Sequence, residues 1–365
     1  MTAAQEAVPI YKGQDFYVPY FEVRLKGKSL SQDVVRDIIQ VSYKDSLDAI
    51  DSFDLTINNW DAESRSFKYS DEEIFDPGQE LELWMGYYGA DHQRRMMLGE
   101  ITSLRPAFPA GGQPTLSVSV LNILHKFRTE QVSWVYEELT DSEIALQVGQ
   151  RLAIEVETDP VDETPYEYIL QDNQYDIIFL MRQARKVGYD IFVKEGDTPA
   201  IYFGPSVNVK QTTYELVYGR SLIQFQPTLT TANQVGEVTV RGWDPTSKKK
   251  IEYTARRSEI ETQGVGEGQS RIESAFNQKK EILNEPVRSE AEAKKVAVET
   301  LENIAKDMVK GSGSVVGLPD LRAGTVVFIR GLGDRFSGRY FVTGTTHTIG
   351  GSGYTTQFQC RMEEV

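Results

Sequence analysis

The chain is 365 residues long, room for two or three domains of roughly 150 residues each, and its 40% apolar and 25% charged residues are those of a folded protein. With 39 basic and 54 acidic side chains it carries a net charge of −15, a field that disfavours general binding to nucleic acid or an anionic membrane. A lone cysteine, Cys360, excludes an internal disulfide framework, and the three histidines, His92, His125 and His347, lie too far apart for a compact zinc box.

The N-terminal stretch lacks the basic start and apolar run of a secretory signal, and no segment of about 18 apolar residues follows that could cross a membrane as a helix. A protein made and first used in a cytoplasm is expected. The first 125 residues or so then read as strands. Tyr20 to Lys26 alternates through Phe21, Val23 and Leu25, and Phe53 to Ile57 through Phe53, Leu55 and Ile57. After the turn Asp76-Pro77-Gly78, Glu80 to Gly86 alternates through Leu81, Leu83 and Met85, and Met96 to Phe108 and Thr115 to Leu121 extend the pattern. Short strands separated by Gly and Pro turns predict a barrel or sandwich.

At Leu139 the period changes. Thr140 and Glu143 form a capping box, followed at helical spacing by Ile144, Val148 and Leu152. A second helix is predicted over Gln174 to Val187, with Ile177, Leu180, Met181 and Ala184 on one stripe, leading to strands at Tyr189 to Val193 and Ala200 to Phe203. Strands resume at Ser221 to Thr231, Gly236 to Trp243 and Lys249 to Ala255. The glycine-rich run Glu261 to Ser270 has too little apolar content to pack and predicts a mobile loop over 261–274. Ser289 and Glu292 open a further helix, 289–309, which Gly311 to Ser314 is expected to stop. Strands at Thr325 to Arg330, Gly338 to Thr348 and Tyr354 to Glu363 close the chain.

The two strand-rich regions share a rhythm. Gly99 precedes Gly111-Gly112, and Gly338 precedes Gly350-Gly351, by the same twelve residues, and an alternating strand follows each pair. Repeated glycine spacing at tight turns implies repeated backbone geometry, hence a duplicated unit in which Gly99 matches Gly338 and Gly111 matches Gly350. The predicted fold class is α+β, mainly β: two related, tube-like antiparallel β-barrels with an inserted small α/β domain and a helix in the C-terminal half. The domains are 1–127, the first barrel; 128–215, an acidic α/β middle domain; and 216–365, the second barrel with the mobile loop and the helix.

The stretch Asp76 to Gly86 with Leu98 to Thr102 resembles the first barrel of phage late-control D proteins, the baseplate hubs of contractile tails, to which the front part of type VI secretion spike proteins is similar. The helix at Thr140, Tyr168 to Gln174 and Phe179 to Tyr189 are similar to that family's middle domain, and Leu318 to Gly324 with Gly338 to Thr343 to its second barrel. The likeness runs from about Val18 to Glu363 and rests on turns and strands, not on chemical signatures. It implies a homotrimer whose six barrels form a pseudo-sixfold ring adapting a sixfold tail tube to a threefold spike. The expected partners are further copies of the chain, a tail tube protein, a separate spike (since the chain ends at Val365, just after the second barrel) and other baseplate proteins. No membrane partner and no specific nucleic-acid binding are expected, and the setting is a bacterial cytoplasm and then a phage tail or injection particle.

No catalytic, cofactor or metal residues emerge. A nucleophile elbow, a phosphate-cradling loop and a zinc-protease motif are absent, and Gly264 to Gly266 and Gly331 to Gly333 lack the third glycine of a dinucleotide fingerprint. The pairs Glu137/Glu138 and Asp162/Glu163 offer carboxylates, the raw material of a cell-wall hydrolase, but read as solvated acid. His347 and Cys360 fall on alternating strands as barrel-face positions, and His92 sits in a turn. Charge is the more informative signal. From Glu130 to Asp176 there are thirteen acidic residues and one basic, Arg151, which fits a solvated face, a dock for a basic partner or a negative channel wall. Arg241 to Arg257 holds six basic and two acidic residues, with Lys248 to Lys250 read as a hairpin tip. The reading is a non-enzymatic structural hub; the alternatives are a cell-wall hydrolase, or a carbohydrate- or protein-binding module on a β-rich scaffold.

Overall fold

Alternation decides the first half. In Ser52–Asn58, Glu80–Tyr87 and Thr115–Asn122 every second side chain is buried, so Phe53, Leu55, Ile57, Leu81, Leu83, Leu116, Val118 and Val120 meet in one core. Each such burial stabilises by about 1.5–3 kcal/mol. The structure, a computed structural model, describes residues 8–10, 18–47, 49–89, 93–161, 163–194, 200–205, 212–244, 247–260, 280–284, 287 and 289–364. It is mainly β and mostly antiparallel, and the expected loop at 261–274 lies outside the described residues.

Two halves of one 14-stranded sheet repeat the same order. In the first, neighbouring strands run Ile38–Ser46, Ser52–Asn58, Thr115–Asn122, Gln93–Ala107, Glu80–Tyr87, all antiparallel. In the second they run Leu222–Leu229, Val309–Val316, Gly353–Glu364, Gly338–Gly350, Val326–Arg330, again antiparallel. The flanks differ. Pro19–Leu25 joins the first half antiparallel, whereas Thr212–Val217 joins the second parallel to Val326–Arg330 and itself carries Val8–Pro9. Ile38–Ser46 pairs with the far part of Gly338–Gly350, among the described residues the one strand pairing that joins the halves. The strand path does not return on itself, so the expected closed barrels are absent among the described residues.

Register fixes the equivalence of the halves. Gly78 N donates to Ile101 O (2.8 Å) and Ile101 N to Gln79 O (2.9 Å), just as Gly324 N donates to Val342 O (2.8 Å) and Val342 N to Thr325 O (2.9 Å). One position later, a bulge leaves Thr102 without a cross-strand partner in the first half and Thr343 in the second. A second bulge skips Ile39 in the first and Ile223 in the second, and both side chains are exposed. By this register the counterpart of Gly99 is Tyr340, since Gly99 lies opposite Leu81 and Asn122, and Tyr340 opposite Val327 and Met362. The expected match of Gly99 with Gly338 is therefore two residues out. The two glycines serve different needs: a Cβ on Gly99 would sit 2.3 Å from the Leu121 carbonyl oxygen, whereas Gly338 opens its strand at φ 148°.

The run Gly311 to Ser314, expected to end a helix, lies inside the strand Val309–Val316. The helix ends earlier, at Lys306. Gly311 and Gly313 occupy inward positions where a Cβ would meet the rings of Phe225 and Phe358 at 2.5 Å each, so large rings from neighbouring strands fill the space that side chains here would take. Between Leu222–Leu229 and Val309–Val316 stands a separate unit: Glu237–Asp244, Lys249–Arg256 and Lys280–Asn284 in a three-stranded sheet covered by the helix Glu290–Lys306. Ser289 caps that helix by accepting from Glu292 N (3.1 Å), while the Glu292 carboxylate reaches Lys186 (4.0 Å). The middle unit has the helices Asp141–Leu152 and Asp176–Lys186 packed on Val156–Thr158, Tyr189–Lys194 and Ala200–Pro205, plus a ribbon of Gln131–Leu139 and Tyr166–Tyr175. The expected division between 215 and 216 cuts through Thr212–Val217, which belongs whole to the large sheet.

Candidate functional site: the junction between the halves

A polar cluster is buried where the halves meet. The strand Ile38–Ser46 turns Tyr43 and Asp45 toward the core, opposite His347 and Thr345, and all four are at most 6% exposed. Arg322, from the turn before Val326–Arg330, donates from Nε to Asp45 Oδ2 (2.7 Å), from Nη2 to Met96 O (3.1 Å), and to the Tyr43 hydroxyl. Its guanidinium lies 4.7 Å from the Tyr43 ring centre. Asp45 also accepts from Ala323 N (3.0 Å), Thr345 N (3.1 Å) and the Thr345 hydroxyl. One carboxylate thus ties a strand of the first half to two segments of the second.

His347 completes the cluster. Leu321 O, 3.0 Å from Nε2, can only accept, so Nε2 carries the proton and Nδ1 accepts from the Tyr354 hydroxyl (3.0 Å) or that of Thr356 (3.1 Å). Burial holds its pKa down at about 4; the nearby Asp45 charge opposes this, and Arg322 adds to it. A neutral, fully partnered imidazole between two hydroxyls is a structural device. Among the described residues, the groove opening beside the junction, between Lys44 and Gln224, has Asp45 as its only carboxylate, and Arg322 already neutralises it.

The other residues singled out in the sequence scatter. Glu137 and Glu138 are exposed on the ribbon, while Asp162 and His92 lie outside the described residues. Glu163 accepts from Ser142 N (3.1 Å) and Ser142 Oγ (2.6 Å), at the start of the helix Asp141–Leu152, so it holds a helix end. His125 Nδ1 lies 2.7 Å from Asn122 O, and its Nε2 3.8 Å from Glu100. Cys360 is a buried core thiol whose pKa burial pushes up. At the basic hairpin, Arg241 (2.8 Å) and Lys250 both pair with Glu252.

Of the thirteen acidic residues from Glu130 to Asp176, nine are exposed, so most of the middle unit's charge is a surface. The ribbon inside that surface shows Trp134, Val135, Tyr168 and Leu170, each 48–56% exposed. Two are buried: Asp176, which pairs with Arg151 (2.5 Å), and Asp141. Asp141 accepts from the Tyr166 hydroxyl (2.8 Å), and burial lifts its pKa to about 6. Its folded pKa stands above the unfolded value near 3.8, so ionising it at neutral pH costs stability that returns as pH falls through 6. Asp141→Asn keeps the acceptor for Tyr166 and is expected to stabilise the middle unit by about 1–2 kcal/mol at pH 7.5, with the gain fading toward pH 4. Denaturant midpoints at the two pH values check it; an equal gain at both would rule out the buried charge as its source.

Sequence reasoning missed the junction. It read no strand over Ile38–Ser46, where Val41, Tyr43 and Asp45 alternate inward with a carboxylate at a core position, and it gave Arg322 no role.

A family model described as the Alg8 N-terminal domain matches residues 17–351. The chain belongs to the Alg8 N-terminal domain family. No curated protein matches this family member in sequence. Among solved structures it is similar to the 43 kDa tail protein of prophage MuSo2 from Shewanella oneidensis, with a TM-score of 0.71, 15% identity, and coverage of 94% of this chain and 98% of that one. A tail protein from Neisseria meningitidis MC58 gives a TM-score of 0.68 at 14% identity, over 95% and 97% of the two chains. An Escherichia coli component of the type VI secretion system, described as similar to the T4 bacteriophage tail proteins gp27 and gp5, gives 0.53 at 12% identity, over 94% and 77%. This Alg8 N-terminal domain chain therefore has the fold of phage tail and type VI secretion proteins. Among the described residues, none of its helices is long and apolar enough to cross a membrane.

Proposed function

We propose that the chain is a structural hub of a contractile tail or injection-system baseplate, of the late-control D kind. As a homotrimer it would present six sheet halves in a ring and adapt a sixfold tail tube to a threefold spike. The observation that carries this reading is the repeated strand order of the halves, joined edge to edge within one chain. Two equivalent units per chain are what a sixfold-to-threefold adapter requires. The descriptions of the similar tail and secretion proteins support the same role. The work is assembly and not catalysis: the buried polar cluster is ion-paired and hydrogen-bonded within itself, and the acidic surface with its apolar ribbon suits a basic partner from the baseplate.

The native mass of the purified chain, alone and mixed with a tube protein, tests the proposal. Three copies per particle are expected, and a chain that stays single under both conditions would overturn it.

A further inference from the structure

We infer that the edge of Leu222–Leu229 in one copy pairs antiparallel with the edge Ser103 to Phe108 of the next copy, with Pro227 opposite Pro106. This rests on the ring reading above and names the surface that would build it. The template lies inside the chain. At the junction of the halves, Gly344 to Ile349 pairs with Val41 to Ser46, in the register Thr345 to Asp45, His347 to Tyr43 and Ile349 to Val41. The bulges at Thr102 and Thr343 and at Ile39 and Ile223 carry each of these strands onto its counterpart: Gly344 to Ile349 onto Ser103 to Phe108, and Val41 to Ser46 onto Phe225 to Thr230.

Both counterpart edges are open among the described residues. Gln93–Ala107 pairs with Glu80–Tyr87 only as far as Glu100, which leaves the outer side of Ser103 to Ala107 without a strand. Apart from a single bridge between Leu222 and Tyr218, Leu222–Leu229 pairs among the described residues only with Val309–Val316, so its outer side from Phe225 onward is open. Each half therefore repeats one side of an interface that the chain has already built once, and a second copy is the occupant that repeats the other side. Because the contact is head-to-tail, each copy gives one edge and takes another, as a closed ring requires.

Side chains support the match. At the internal junction, the face that carries Val41, Tyr43 and Asp45 against Ile349, His347 and Thr345 is buried throughout. The same face of the two open edges carries Phe225, Pro227 and Leu229 against Phe108, Pro106 and Leu104, six apolar residues. None of the six is buried in the single chain, and Phe108 is 60% exposed. Pairing would cover a continuous apolar stripe. The prolines also meet at one step. Leu47 N donates to Thr343 O (3.1 Å), which makes Tyr43 and His347 a hydrogen-bonded pair, so at the equivalent step neither open edge has an N–H to offer. The new ladder has to open at that step, because each proline ring stands where an N–H would point at the partner carbonyl, and its bonds form only on either side of it.

Cysteine pairs in the full-length chain test the register. Arg105 and Thr228 fall opposite each other on the polar face, where Cα atoms of a non-hydrogen-bonded pair lie about 4.5 Å apart, inside disulfide range. Under oxidising conditions Arg105→Cys/Thr228→Cys should form covalent species of two and three copies. Each single variant, and Arg105→Cys/Gln224→Cys four residues out of register, should remain one copy on a non-reducing gel. Phe108→Asp and Leu229→Asp should reduce the native mass from three copies to one without changing the far-ultraviolet spectrum. A native mass of three copies with no Arg105–Thr228 link, or with equal linking to Gln224, would overturn the edge assignment and leave the ring reading standing. A three-copy mass that survives both aspartates would do the same. A single-copy mass for the unmodified chain would overturn both.

Discussion

Replacing Arg322 with methionine is expected to cost the large sheet about 3 kcal/mol, the lower end of what breaking a buried ion pair costs. The lower end applies because the Arg322 side chain is 22% exposed while that of Asp45 is 5% exposed. Methionine keeps much of the packing on Tyr43 but removes both the charge and the donors to Asp45 and Met96. The bonds that Asp45 accepts from Ala323 N and Thr345 N remain, yet they leave its charge without a counter-ion. Adding Asp45→Asn to Arg322→Met should recover most of the loss, since a neutral amide still accepts from those groups. Urea unfolding of the two variants followed by tryptophan fluorescence would measure both effects. A loss below about 1 kcal/mol for the single variant would place this pair with surface ion pairs.

Acid is expected to loosen the same junction. The unfolded chain protonates His347 near pH 6.5, whereas the folded chain holds it neutral down to about 4 because of burial. Between those values the unfolded state binds more protons, so stability falls as pH falls, by about 3 kcal/mol across the window. Asp141 acts with the opposite sign between pH 6 and 3.8, because its folded pKa is the higher one. The bulk pH profile mixes the two. The difference between the unmodified chain and His347→Gln isolates the histidine: the variant's deficit should shrink steadily from pH 7 to pH 4.5. A deficit independent of pH would show that His347 is protonated, or reached by water, in the folded state.

The strands that the sequence made legible are those with one wet face and one dry face. Phe53, Leu55 and Ile57, or Leu81, Leu83 and Met85, announce a period of two without help from tertiary structure. The capping box at Thr140 is formed in both directions, Thr140 N to Glu143 (2.8 Å) and Glu143 N to Thr140 (3.3 Å), because it is a local contact that the chain alone specifies. Val309–Val316 was hidden because two of its inward positions, Gly311 and Gly313, are glycines made necessary by Phe225 and Phe358, residues remote in sequence. The six-residue helix Gln32–Asp37 is too short to show a period, though Ser31 caps it at Val34 N (3.5 Å). The junction was hidden for a different reason. Asp45, Arg322 and His347 are ordinary polar residues until a separation of some 280 positions is closed, and no spacing rule reaches that far. The repeat was legible in rhythm but misread in detail, since glycine marks where backbone crowds, while the equivalence of the halves is carried by two bulges.

The inserted unit bears on how the second half folds. In the first half, Ile38–Ser46 and Ser52–Asn58 are joined by five residues; in the second, the equivalent strands are separated by 79, from 230 to 308. Closing so long a connection as a flexible chain would cost about 2.5 kcal/mol more entropy than the short one. That cost falls away if the insertion folds first, because its two ends leave side by side: Thr230 N donates to Met308 O (2.9 Å). The large sheet then meets what is in effect a tight hairpin. The first half can therefore zip early from local contacts, while the second waits for its insertion and completes later. A unit that returns the chain to its starting point is also one whose length and contents can drift without moving the strands on either side.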